Sequence, residues 1–329
     1  MKNRSIKYII NFCALLLAIP ASAQLIPVLG SQRAGTAMGA FLKIGVGSRA
    51  VAMGGAFVAV ANDASALYWN PAGITQIEQN QISFAHTEWV LDIQHEYLGY
   101  VHKLSPTSRL GLSVLTLHTD EWEETTTYKP TGSGNYVRYG DIAVGLTYAK
   151  KMTDRFSLGF GLKYFDETLD TVHARNLFFD FGTFFKTGFG SSRFAVSVTN
   201  FGTNIKPSGS LRSSNGDKID DWQDFAPPTI FRFGFAGEFI DTRFQKLTAS
   251  AQLNHPNDNA ENFSLGLEYW WRNMLATRGG YQFNADEKSW SVGAGLALPL
   301  KLIDFNVDVA YSGFGVLGNI SRFSATIGF

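Results

Sequence analysis

From Asn80 to the C-terminus, apolar and polar side chains alternate almost without interruption. Phe156, Leu158, Phe160, Leu162 and Tyr164 interleave with Ser157, Gly159, Gly161 and Lys163. Ile142, Val144, Leu146 and Tyr148 interleave with Asp141, Ala143, Gly145 and Thr147, and Ile303 through Tyr311 repeats the scheme with Asp304, Asn306, Asp308 and Ala310 between. Such a period gives each strand one greasy face and one small or charged face. Cut at turn signals, the chain yields fourteen segments long enough for a tilted strand to cross a bilayer. They run over 80–87, 94–103, 108–118, 137–151, 156–165, 172–187, 192–201, 229–239, 245–254, 262–271, 274–283, 289–298, 302–312 and 321–329.

The connections give an independent check, because outer-membrane barrels have short periplasmic turns and longer outer loops. The two longest, around 119–136 and 202–228, fall on one side of the array. The short ones at 104–107, 152–155, 188–191, 272–273 and 299–301 fall on the other. The last segment ends on Phe329, and an apolar terminal strand of this kind must pair with the first, since lipid cannot hydrogen-bond an open edge. A soluble β-sandwich also alternates, but it has no reason to keep aromatics at strand ends. Here Tyr97, Tyr100, Tyr148, Tyr164, Tyr269, Trp270, Trp271, Tyr281, Trp290 and Tyr311 mostly fall near those ends and predict interfacial girdles. The fold class expected is all-β: a 14-stranded antiparallel transmembrane β-barrel over 80–329, with a small N-terminal hatch or plug over 24–79 in its lumen.

The N-terminus fits export. Lys2, Arg4 and Lys7 precede an apolar stretch from Ile9 to Ile19 and then Pro20-Ala21-Ser22-Ala23, so residues 1–23 read as a cleaved signal peptide and the destination as the outer membrane. That stretch falls short of the roughly 20 residues a spanning helix needs. Cys13 is the sole cysteine and lies in the removed segment, which leaves no disulfide or thiolate chemistry. The chain holds 28 basic and 28 acidic residues. Without the three basic residues of the signal, no basic footprint for nucleic acid remains.

Residues 24–79 do not alternate. The stretch from Gly45 to Gly73 is dense in Gly and Ala, which permits close backbone packing. Asn62 or Asp63 is a candidate N-cap for a short helix through Leu67, and Asn70-Pro71 marks a turn that ends it. Gly54 and Gly55 read as packing positions.

Asn62-Asp63-Ala64-Ser65-Ala66-Leu67-Tyr68-Trp69-Asn70-Pro71-Ala72-Gly73 resembles the hatch signature of the FadL-like outer-membrane transporters. The stretches Phe41-Leu42-Lys43-Ile44-Gly45 and Ser48-Arg49-Ala50-Val51-Ala52-Met53-Gly54-Gly55-Ala56 are similar to the PorV/PorQ family within that superfamily. The resemblance implies a hatch whose Asn-Pro-Ala turn lies near a binding pocket, which makes Asn70, Pro71, Ala72 and Gly73, with Asp63 and Trp69, the gating candidates. The alternative role for that turn is to hold the hatch in place without touching ligand. The PorV/PorQ likeness implies an accessory barrel of a type IX secretion-like system, binding or relaying cargo or translocon partners. The FadL likeness implies the alternative, a transporter of hydrophobic small molecules.

Enzymatic chemistry has little support. Six histidines are scattered without metal-ligand spacing, and no nucleophile elbow, phosphate loop or paired-Cys motif occurs. Neither a metal site nor a cofactor is expected, and the chain is expected not to be an enzyme. Acidic clusters at 120–124 and 217–224 enclose Trp122 and Trp222, candidate docking anchors in the long loops. Lys163, Asp180, Arg232, Glu238, Glu268 and Arg278 sit on the small-residue face, where they pair with one another or with the hatch. The partners expected are outer-membrane lipid and lipopolysaccharide, secretion-system proteins or cargo, and a hydrophobic small ligand.

Overall fold

The computed structural model describes residues 34–125, 127–212, 217–285, 289–300 and 303–329. The expected signal peptide lies outside them. Fourteen strands form one closed antiparallel barrel in which each pairs with its sequence neighbours and the last pairs with the first. They are β1 Gln81–Glu88, β2 Gln94–Lys103, β3 Ser108–His118, β4 Tyr139–Lys151, β5 Phe156–Leu169, β6 Val172–Lys186 and β7 Arg193–Phe201, followed by β8 Ile230–Asp241, β9 Gln245–Pro256, β10 Asn262–Trp271, β11 Leu275–Phe283, β12 Trp290–Pro299, β13 Asp304–Gly313 and β14 Asn319–Gly328. Closure sets Gln81 opposite Gly328 and Ser83 opposite Thr326, whose hydroxyls lie 3.0 Å apart. Every edge is thereby paired.

The period-2 pattern decides what faces where. On β4, Ile142, Val144, Leu146 and Tyr148 are exposed on the outside, while Asp141, Ala143, Thr147 and Ala149 are buried inside. Buried Lys163, Asp180, Glu268 and Arg278 continue the polar inner face on other strands. Two aromatics depart from the expected girdle. Tyr97 is buried and donates from its hydroxyl to the Ala64 carbonyl at 2.8 Å, and Trp270 shares Glu268's parity and lies under the Arg278 guanidinium. Their strand parity, not their chemistry, fixes the direction.

The long connections 119–138 and 202–229 emerge at the same end of the barrel, each carrying a two-residue hairpin: Trp122–Glu123 with Tyr136–Val137, and Leu211–Arg212 with Lys218–Ile219. The opposite end carries the short turns.

Residues 34–79 fill the lumen. Their backbone and side chains abut inward glycines from around the ring: Leu67 meets Gly111 of β3, Pro71 and Ala72 meet Gly159 of β5, Val58 meets Gly234 of β8, and Gly54 meets Gly280 of β11. The segment contains two short helices, α1 Ser48–Ala52 and α2 Ala66–Trp69, and 3-10 turns at Ala40–Lys43 and Pro71–Gln76. Helix α2 starts later and ends later than its sequence suggests. Asp63 does not cap it; its carboxylate accepts from the Ser65 amide and hydroxyl, an i to i+2 turn that leads into the helix.

Candidate functional site

The segment crosses the barrel from the long-loop end to the short-turn end. At the start, Lys43 pairs with Asp258 in the 257–261 connection at 2.6 Å, and Met38 donates to the Ala226 carbonyl. At the far end, Arg109 donates to the Ile77 carbonyl and Gln79 to Asp304 before the chain enters β1.

Asn70 is wholly buried. Its amide nitrogen donates to the Val58 carbonyl at 3.0 Å, inside the segment, and to the Thr183 carbonyl of β6 at 3.1 Å; its side-chain oxygen accepts from Ala72 and caps the 3-10 turn that Pro71 opens. Asn70 thus ties the segment to itself and to the wall. A Cβ on Gly182 or Gly159 would fall 2.2–2.3 Å from this turn, so only glycine admits it. Gly73 is equally confined, with the Ala61 carbonyl 2.7 Å from where its Cβ would stand. Thr75 bridges to Ser157, and Ser197 donates to the Trp69 carbonyl.

The second attachment is ionic. Arg49 of α1 makes two hydrogen bonds to Glu268 of β10, at 2.7 and 2.8 Å, and reaches Asp63 at 3.0 Å and Asn62 at 2.6 Å. Glu268 also accepts from Arg278, which in turn reaches Asp308. Burial works against the Arg49 charge, but the carboxylates of Glu268, Asp63 and Asp308 outweigh it and hold its pKa above the ordinary value. Elsewhere on the inner wall Lys163 pairs with Asp180, and Arg193 with Glu238.

Between the segment and the long-loop end lies a cavity of about 340 Å³. Tyr68, Trp69, Gly54 and Gly55 line it from the segment; Trp89, Phe314, Arg232 and Arg322 line it from the wall and its connections. The polar tips of Tyr68 and Trp69 are bound to the Leu42 and Val46 carbonyls, which leaves their rings as apolar surface. Arg232 lies over both rings, 5.5 and 5.4 Å from their centroids, and donates to Thr199. Arg322 of β14 lies over Trp89 and Phe314, which meet edge to face at 5.0 Å.

Among the sequence candidates, only Trp69 lines this cavity. Asn70, Pro71, Ala72 and Gly73 form the anchored turn, and Asp63 belongs to the Arg49 network. Trp122 is half-exposed on its hairpin. Trp222 is no free anchor: it folds back on its own loop and donates to the Gly209 carbonyl at 3.0 Å. Sequence reading missed Arg322, Trp89 and Phe314. Arg322 had a signal, being out of phase with outward Phe323; the two rings lie in connections, where no period marks them. Among the described residues no group of three or more His, Cys, Asp or Glu side chains is placed to hold a metal ion.

A model of an uncharacterised protein family, UPF0164, matches residues 21–163. No curated protein matches the chain. Solved structures match over most of it. The toluene transporter TbuX of Ralstonia pickettii superimposes with a TM-score of 0.58 at 13% identity, covering 86% of this chain and 97% of its own. The toluene transporter TodX of Pseudomonas putida gives 0.55 at 13%, covering 86% and 97%. A FadL homologue of Pseudomonas aeruginosa gives 0.55 at 12%, covering 86% and 98%. The fold is therefore similar to that of FadL-like outer-membrane barrels.

Proposed function

We propose that this chain is a non-enzymatic outer-membrane channel for hydrophobic small molecules, with residues 34–79 as its hatch. The observation that carries this reading is the aromatic-walled cavity held directly above a packed lumen segment. A purely structural plug needs no such space. The fold likeness supports the same reading, since two of the similar barrels are described as toluene transporters. Ligand entering at the long-loop end meets Trp89 and Phe314 of the connections and then Trp69 and Tyr68 of the segment, and passage requires the Asn70 and Arg49 attachments to yield. The cavity and the fold likeness favour this alternative over the secretion-accessory expectation, for which Trp122 remains an exposed loop aromatic along with Tyr128 and Tyr136.

The test is uptake of toluene by cells carrying the chain in their outer membrane, against cells lacking it. Uptake is expected to rise several-fold and to fall when Trp69 is replaced by Ala. Unchanged uptake, together with recovery of secretion proteins on gentle solubilisation, would overturn the channel in favour of the accessory role.

A further inference from the structure

Arg322 is 5% exposed, and among the described residues no carboxylate lies within ion-pair distance of it. Its Nη1 donates to the Ser312 hydroxyl at 3.2 Å, and among the described residues its Nε has no hydrogen-bond partner. Arg232, 3% exposed, likewise has no carboxylate within ion-pair distance among the described residues, although Thr199, Tyr68 and the more distant Asp180 support its charge. The remaining cation of the lining, Lys43, is neutralised by Asp258. Among the described residues no Asp or Glu lines the cavity. One buried, uncompensated guanidinium, that of Arg322, therefore faces the cavity beside the better-supported Arg232, an arrangement that is costly unless an anion completes it.

From this geometry we infer that the cavity binds a compact aromatic carboxylate of one or two rings. This deepens the channel reading by naming the substrate class of the same cavity. The carboxylate is received by Arg322, whose planar fork matches it and whose Nε is unused. The four rings of Tyr68, Trp69, Trp89 and Phe314 supply flat surface for the body of the ligand. Asn254, Asn262 and Gln282 on the neighbouring wall are linked to one another by amide hydrogen bonds and add no negative charge. Anionic ligands are thereby preferred over the neutral hydrocarbons that the same rings accommodate.

The test is calorimetric titration of the full barrel, in zwitterionic-detergent micelles, with 2-naphthoate and with the isosteric neutral 2-naphthamide. Naphthoate is expected to bind about tenfold or more tightly than the amide, the ratio that one lost charge-assisted hydrogen bond produces. Arg322→Gln abolishes that preference without weakening the amide, Arg322→Lys retains part of it, and Arg232→Gln reduces it. Heat-modifiable migration on gels shows that each variant is folded. Equal binding of acid and amide by the unmodified chain overturns the inference while leaving the channel standing, as does naphthoate affinity unchanged in both Gln variants. Palmitate binding more tightly than naphthoate overturns the compact aromatic class. If neither naphthyl ligand binds, the inference falls, and toluene uptake by cells carrying the chain decides separately whether the channel reading falls with it.

Discussion

The wall and the lumen segment of this protein solve opposite problems with the same amino acids. The wall turns its large apolar side chains outward, so that Leu146, Phe160 and Phe233 are exposed while Thr147, Gln252 and Glu268 are buried. The segment is built like an ordinary protein core, with Phe57, Met53, Leu42 and Ile74 wholly buried. The wall's backbone ladder is closed between strands, so most of its side chains are free to serve the environment on each face. The segment has almost no regular structure, so its orphan backbone groups depend on borrowed side chains: Gln252 accepts from Phe57 and Val58, Ser291 from Gly54, and Gln81 from Ala64. A wall strand is specified by its own period; the segment is specified by what surrounds it.

The sharpest way to break that dependence is at Glu268. Glu268→Ala removes the carboxylate that joins Arg49 of the segment to Arg278 of the wall and leaves Arg278, whose Nη2 already lacks a partner, with Asp308 alone. Loss of one partner from a buried ionic cluster costs about 3–5 kcal/mol. Urea unfolding of the barrel should shift accordingly, and protease should reach Arg49 in the folded barrel. A shift below about 1 kcal/mol would mean that the network does not join the two regions.

This contrast also explains what was legible in the sequence. All fourteen strands could be read because each carries its own period, and the ring closure followed from the terminal strand. Misassigned Tyr97 and Trp270 show the limit: both sit where a girdle aromatic would, and only their parity with neighbours reveals that they point inward. The gly-rich segment announced close packing, and Gly54, with a φ of 67°, does need glycine. What could not be read is which wall residues it packs on, because Gly54 meets Gly280 across more than two hundred positions of chain. The cavity was illegible for the same reason: Tyr68 and Arg322 share it only after the barrel has closed.

The outward face tests the wall alone. Leu146 lies midway along β4 and is exposed to whatever surrounds the barrel. In a bilayer, Leu146→Arg is expected to cost about 2–4 kcal/mol, read from unfolding out of lipid vesicles. The segment should be untouched, so its protease resistance in the folded barrel stays unchanged. If the substitution costs nothing in vesicles, the outward apolar band does not lie in lipid.

The smallest effect separates the regions most finely, because it uses neighbouring glycines of one strand. Gly280 faces the lumen, and a Cβ there would stand 2.0 Å from the Gly54 amide nitrogen, backbone that cannot swing aside. Gly279 faces outward, with nothing within 4 Å of its Cβ position. Gly280→Ala should therefore destabilise by about 1–3 kcal/mol through overpacking and loosen α1 from the wall. Gly279→Ala should be neutral or slightly stabilising, since alanine loses less backbone entropy than glycine in a strand. Chemical denaturation of both variants side by side measures the difference. Equal midpoints would show that the wall does not hold the segment by backbone contact, and that the charged network and Asn70 hold it instead.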